Sequence, residues 1–151
     1  MLPTKSFDEA SPSTQAWWSC PGLVYFLGVG QPTTAVKIGM LAITGSQTLP
    51  TALARRLSSI QSSNHELVYV LGLVHLTEGR HPTKDAEDLE RSLHLEFEHL
   101  ARFKLNTRGA EWFNASPELL HKVQSQSQPH TAFAGVPYAV GSLSKTPPSG
   151  S

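Results

Sequence analysis

The sequence predicts an α+β fold, a small central antiparallel β-sheet flanked by helices with disordered tails. Three observations carry that prediction. Two short apolar runs, Gly22–Gly28 and Ala35–Met40, are separated by a loop rich in glycine, proline and threonine, the pattern of a hairpin. A third apolar run, "ELVYVLGLVHL", stands between two segments whose apolar residues recur at helical spacing. The resulting order, β-β-α-β-α, places helices against a small sheet.

Taken in order, residues 1–20 read as a polar lead-in, "MLPTKSFDEASPSTQ" at its start. The organised part is expected over 21–124. After the hairpin, "TGSQTLP" is turn-rich and leads to a helix from about Pro50, proline suiting an opening position. That helix runs to about Ser62, with Leu53, Leu57 and Ile60 on one face. After the third strand, "DAEDLERSLHLEFEHLARF" reads as a long helix with Ala86, Leu89, Leu93, Phe97 and Leu100 on one side. "EWF" is a short apolar element in which Trp112 and Phe113 are expected to plug the core, with Glu111 left without a role. "SPELLHKV" restarts a helix with Ser116 as cap, Pro117 first and Glu118 near the positive dipole end. Residues 125–151, rich in Ser, Pro, Gln and Gly, have no sustained period and are expected to be disordered.

Bulk properties narrow the function classes. The length of 151 residues suits one domain with a real core. The lone Cys20 cannot form an internal disulfide, and a reducing, cytoplasmic setting is expected. No apolar run reaches the roughly 18 residues of a membrane span, and the start lacks the order of a secretory signal. A formal net charge of zero gives no vote for a nucleic-acid partner. Its distribution says more: between Gly22 and Ser63 the charged residues are Lys37, Arg55 and Arg56, with no acid among them. The histidines show no zinc spacing.

Four residues do not fit their surroundings. Tyr25 and Lys37 interrupt otherwise apolar strands. Stepping the first helix at 100° per residue puts Arg56 on the border of the apolar arc, while Arg55 points to the solvated side. On the second helix Glu90 falls inside the arc, between Phe97 and Ala101, where a carboxylate is costly unless paired. A buried Glu90–Arg56 salt bridge, with Tyr25 and Lys37 as edge-strand residues, is the plain structural explanation.

These residues stand in an order that resembles the GIY-YIG nuclease superfamily. "LVYFL" stands where that family has G-I-Y, and "VKIGM" where it has Y-I-G, with twelve residues from Tyr25 to Lys37. "RRLSSIQSSN" is similar to its arginine-bearing helix and "LERSLHLEF" to its glutamate-bearing helix. "RGAEWF" resembles the ending of a phage-associated branch whose second motif reads K-I-G. Lys37 replaces the parent pattern's second tyrosine, and "TEGRHPTKD" is an additional segment.

The resemblance implies a metal-dependent endonuclease that hydrolyses DNA phosphodiester bonds. It implies Tyr25, Lys37, Arg56 and Glu90 as catalytic residues, with Glu90 as ligand to Mg²⁺ (or Mn²⁺). Arg56 would hold the phosphate, and Tyr25 would be general base, with Lys37 on the adjacent strand either lowering its pKa or itself touching the phosphate. Gly39, Arg55 and His94 would contact substrate, Gly39 by letting it approach the backbone. DNA is the expected partner, and a homodimer, a targeting protein or substrate shape would supply specificity. The alternatives are a non-catalytic nucleic-acid-binding module that keeps the fold, and a protein-interaction domain.

Overall fold

The computed structural model describes residues 7–102 and 111–141. Within them a four-stranded antiparallel sheet has the order β3-β1-β2-β4. Its strands are β1 (Gly22–Val29), β2 (Ala35–Ala42), β3 (Tyr69–Leu76) and β4 (Trp112–Asn114). The helices are α1 (Pro12–Trp18), α2 (Leu49–Gln61), α3 (Pro82–Glu96) and α4 (Pro117–Gln126). The expected α+β architecture is therefore present.

β1 is buried along its whole length, which is why it reads as an unbroken apolar run rather than an alternating one. Its odd residues, Leu23, Tyr25 and Leu27, join Ala52, Leu53 and Leu57 of α2 on one face. Its even residues, Val24 and Phe26, join Ala86 and Leu93 of α3 and Leu119 and Val123 of α4 on the other. The sheet thus separates two apolar layers, with α2 on one side and α3 and α4 on the other.

Local chemistry sets the helix ends. Thr48 and Thr51 form a reciprocal capping box at the start of α2, satisfying donors that would otherwise be left open. α3 begins at Pro82, three residues before the expected Asp85, so part of the "TEGRHPTKD" segment belongs to the helix. A Cβ at Gly22 would meet Pro82 O, Thr83 Cα and Ala86 Cβ at 2.9 Å. That glycine lets the first turn of α3 lie directly on β1. Thr83 Oγ1 also donates to Cys20 O at 2.7 Å. α3 ends at Glu96, earlier than expected, and Glu98–Leu100 forms a 3-10 turn. Phe97 remains in the core and Leu100 packs against it.

Two expectations about the flanks need correction. The lead-in contains α1, capped by Ser11, and its Trp18 is buried. Trp18 supplies an apolar anchor that the polar surroundings obscured, whereas Trp17 beside it is exposed. Residues 127–141, expected to be disordered, lie along β3. Gln128 and Leu73 exchange backbone hydrogen bonds at 2.9 and 2.8 Å, and Val70 N donates to Tyr138 O at 2.8 Å. Val136 and Ala139 are buried, and Tyr138 stacks on Tyr69 with ring centroids 5.4 Å apart. The Arg108–Ala110 part of "RGAEWF", residues 1–6 and the tail from 142 lie outside the described residues.

Candidate active site at the open edge of the sheet

On β2, β4 pairs only with Ala35, Val36 and Lys37. Beyond that point β2 has no strand partner on its outer side among the described residues. Its outward backbone groups are met by one further main-chain bond and by two side chains. Ile38 N donates to Glu111 O at 3.0 Å, and His94 Nε2 donates to Ile38 O at 2.8 Å. Arg56 Nη1 donates to Met40 O at 3.1 Å. His94 comes from α3 on one face and Arg56 from α2 on the other, so the two layers meet around this edge.

Arg56 Nη1 also donates to Tyr25 Oη at 3.0 Å, and its guanidinium carbon lies 5.8 Å from the Tyr25 ring centroid. Tyr25 pairs with Gly39 across β1 and β2. A Cβ at Gly39 would collide with the Tyr25 ring and hydroxyl. The space the sequence reading reserved for substrate at Gly39 is therefore filled by the phenol.

Lys37 pairs in register with Leu27, two residues beyond Tyr25. Its Nζ donates to Glu111 Oε2 at 3.3 Å and lies 5.7 Å from the centroid of the Trp112 ring. This corrects the expected charge relation: the cation acting on Tyr25 is Arg56, and Lys37 is engaged by Glu111. Burial pushes the Tyr25 phenol above its ordinary value and outweighs the opposing charge and hydrogen bond of Arg56. Glu90 and Glu111 push it further the same way. The phenol keeps its proton at neutral pH.

Glu90 is half-buried on α3. The salt bridge to Arg56 considered from sequence does not form, and among the described residues Glu90 makes no ion pair. Its carboxyl is pushed up to about 7, first by burial, then by repulsion from Glu111 and Glu87, against attraction to Lys37 and Arg56. Glu111 behaves differently. Burial raises it, but the charge of Lys37, its backbone hydrogen bond, the Lys37 hydrogen bond and His94 together hold it below the ordinary range. Burial likewise lowers His94, against the raising effect of its bond to Ile38. The His94 ring packs edge-on against Phe113, with centroids 5.1 Å apart.

Glu90 thus lies within electrostatic reach of Tyr25, Lys37 and Arg56, and Lys37 within reach of His94, which links the five groups in a chain along one edge. Arg55 does not join them and stays exposed on α2. Glu111 is the residue that sequence reasoning left without a role. The signal for it was the acid heading "EWF", the strand that pairs with the lysine-bearing one. Phe113 plugs the core as expected, whereas Trp112 is only half-buried and underlies Lys37.

A family model for the T5orf172 domain matches residues 22–127. The chain belongs to that family. The T5orf172 domain is a phage-associated, nuclease-like module with a small antiparallel sheet and helices, which marks this chain as a nuclease or DNA-binding module. No curated protein and no solved structure gives a significant match. No helix among the described residues is long and apolar enough to cross a membrane.

Proposed function

We propose that this T5orf172 domain is a metal-dependent DNA endonuclease of the GIY-YIG type, in the branch with a K-I-G second motif and an E-W-F ending. The observation that carries the reading is the meeting of a phenol, a guanidinium, an ammonium and an unpaired carboxylate at one sheet edge. Hydrolysis of a phosphodiester needs charge neutralisation at phosphorus, an activated water and stabilisation of the leaving oxygen. Arg56 is exposed, and both of its hydrogen bonds among the described residues leave from Nη1. Its remaining donors can take a phosphate oxygen in the planar fork that suits oxyanions. Lys37 adds a second positive charge beside that position.

A hard divalent cation would find one protein ligand here, since among the described residues no group of three or more His, Cys, Asp or Glu could hold a metal ion. Mg²⁺, which keeps several waters, suits so sparse a site. Glu90 is an oxygen ligand, repelled by two neighbouring carboxylates and unmatched by a direct ion pair; Mg²⁺ or Mn²⁺ would relieve that repulsion. Such an ion, when bound, supplies Lewis-acid polarisation of the phosphate and lowers the pKa of a coordinated water. Tyr25, protonated in the metal-free site, can accept a proton from the attacking water only after losing its own to solvent, a loss that the charge and hydrogen bond of Arg56 favour. His94 and Gly39 orient the site, His94 by fixing the Ile38 carbonyl and Gly39 by making room for the phenol.

The partner is DNA, and specificity is assigned to a homodimer, a targeting protein or substrate shape. A reducing, cytoplasmic compartment suits the single cysteine. Nicking of plasmid DNA by purified protein in Mg²⁺, abolished by chelator and by Glu90→Ala, is the expected result; nicking indifferent to Glu90→Ala contradicts the reading. One observation favours a second reading, a DNA-binding module without catalysis: a phenol held in its protonated form is a poor base. That module would bind DNA in chelator and cut it with neither Mg²⁺ nor Mn²⁺.

A further inference from the structure

We infer that Glu111 is a positioning residue for Lys37, holding the lysine ammonium at the sheet edge so that it meets the scissile phosphate and not the flanking DNA backbone. The inference rests on the reading of this edge as a DNA-cleaving site. Lysine carries a point charge on a flexible four-carbon stem, so its location is defined only by what tethers it. Here the tether has two anchors. The backbone of Glu111 is fixed to β2 through Ile38 N at 3.0 Å, one residue from the lysine it serves. Its side chain then reaches Lys37 Nζ at 3.3 Å.

Trp112, in register with Lys37, supports the ammonium from its ring at 5.7 Å. The Lys37 side chain is 13% exposed and that of Glu111 is 45% exposed. The pair is therefore open on its acidic side, where stabilisation of the fold is small. Its consequence is positional: the charge on Lys37 is confined to the edge occupied by Arg56 and Glu90.

The test uses the full chain and a labelled DNA duplex, with binding measured in chelator at several salt concentrations and single-turnover cleavage measured in Mg²⁺. Glu111→Gln frees Lys37 to reach the backbone. Affinity is expected to rise about threefold and the slope of log K against log salt to steepen by about 0.9, as for one added phosphate contact. The cleavage rate is expected to fall by up to about 10²-fold, the scale of a misplaced catalytic group. Glu111→Asp, with a shorter stem, should shift binding in the same direction and substitutes for the Gln variant if circular dichroism shows that variant unfolded.

In a Lys37→Gln background the effect of Glu111→Gln on binding should vanish. Unchanged affinity and slope in the Glu111 variants would overturn the inference, as would tightening that persists undiminished without Lys37, because Glu111 would then repel DNA directly. Binding shifts as expected without cleavage by any variant, parent included, would support the tether and sink the endonuclease reading. Failure of the parent to bind duplex at all would overturn both.

Discussion

Glu90 sits between two carboxylates and two cations, and its protonation links the site to stability. Its carboxyl lies near 4.5 ordinarily and is pushed up to about 7 in the fold. The folded state therefore holds a proton that the unfolded state has released across that window, so stability falls as pH rises from 4.5 to about 7. Glu90→Gln removes this penalty. In chelator, its stability advantage over the parent should grow through the window and then level off. The plateau should be about 1–2 kcal/mol, after discounting for the solvent-facing side of the carboxylate. Urea melts at several pH values check this, and an offset independent of pH would contradict the charge environment described for Glu90. Helical periodicity alone marked Glu90 as misplaced, because a 100° step separates inner from outer faces. It could not say which cation answers which group. That depends on the β1–β2 register, which pairs Tyr25 with Gly39 and sets Lys37 two residues further along.

At the scale of elements, the short β4 leaves half of β2 open and so creates the edge on which the site is built. An open edge invites pairing with another chain. Here Arg56 and His94 occupy the Met40 and Ile38 carbonyls from opposite faces, which blunts that tendency while positioning both side chains. β4 is held by Phe113, fully buried and in register with Val36. Phe113→Ala should cost about 3–5 kcal/mol through lost burial and a residual cavity, read as a drop in the urea midpoint. A loss below 1 kcal/mol would mean that β4 is not anchored as described. β1, β2 and β3 were legible because largely buried strands read as near-continuous apolar runs, unbroken in β1 and with half-buried or exposed breaks in β2 and β3. The start of α3 was not. His81 offers no side-chain cap there, and the helix begins where Pro82 can pack against Gly22, a tertiary contact invisible to local pattern.

For the whole molecule, residues 127–141 close the far edge of the sheet at β3 while β2 stays open at the other. The segment escaped detection because its apolar residues, Phe133, Val136, Tyr138 and Ala139, follow neither a helical nor a strand period; its main chain docks on β3 in only two places. Truncation after Gln126 would strip cover from the α2 layer and expose the β3 backbone. The shortened chain should melt several degrees lower, the expected scale for losing 1–2 kcal/mol from a domain of this size, and should scatter light more strongly at equal concentration. Unchanged melting would show that the segment is dispensable to the fold.

The endonuclease reading treats the groups at the open edge as one unit acting on one phosphate. The direct measurement is single-turnover cleavage of a labelled duplex in Mg²⁺ by the parent and by Tyr25→Phe, Lys37→Gln, Arg56→Gln and Glu90→Gln, with duplex affinity measured alongside in chelator. Each variant should cleave at least about 10²-fold more slowly, the loss typical of removing one transition-state contact, while binding DNA within a few-fold of the parent. Cleavage at the parental rate by the Tyr25 and Glu90 variants, or no cleavage by a parent that binds DNA, would contradict it.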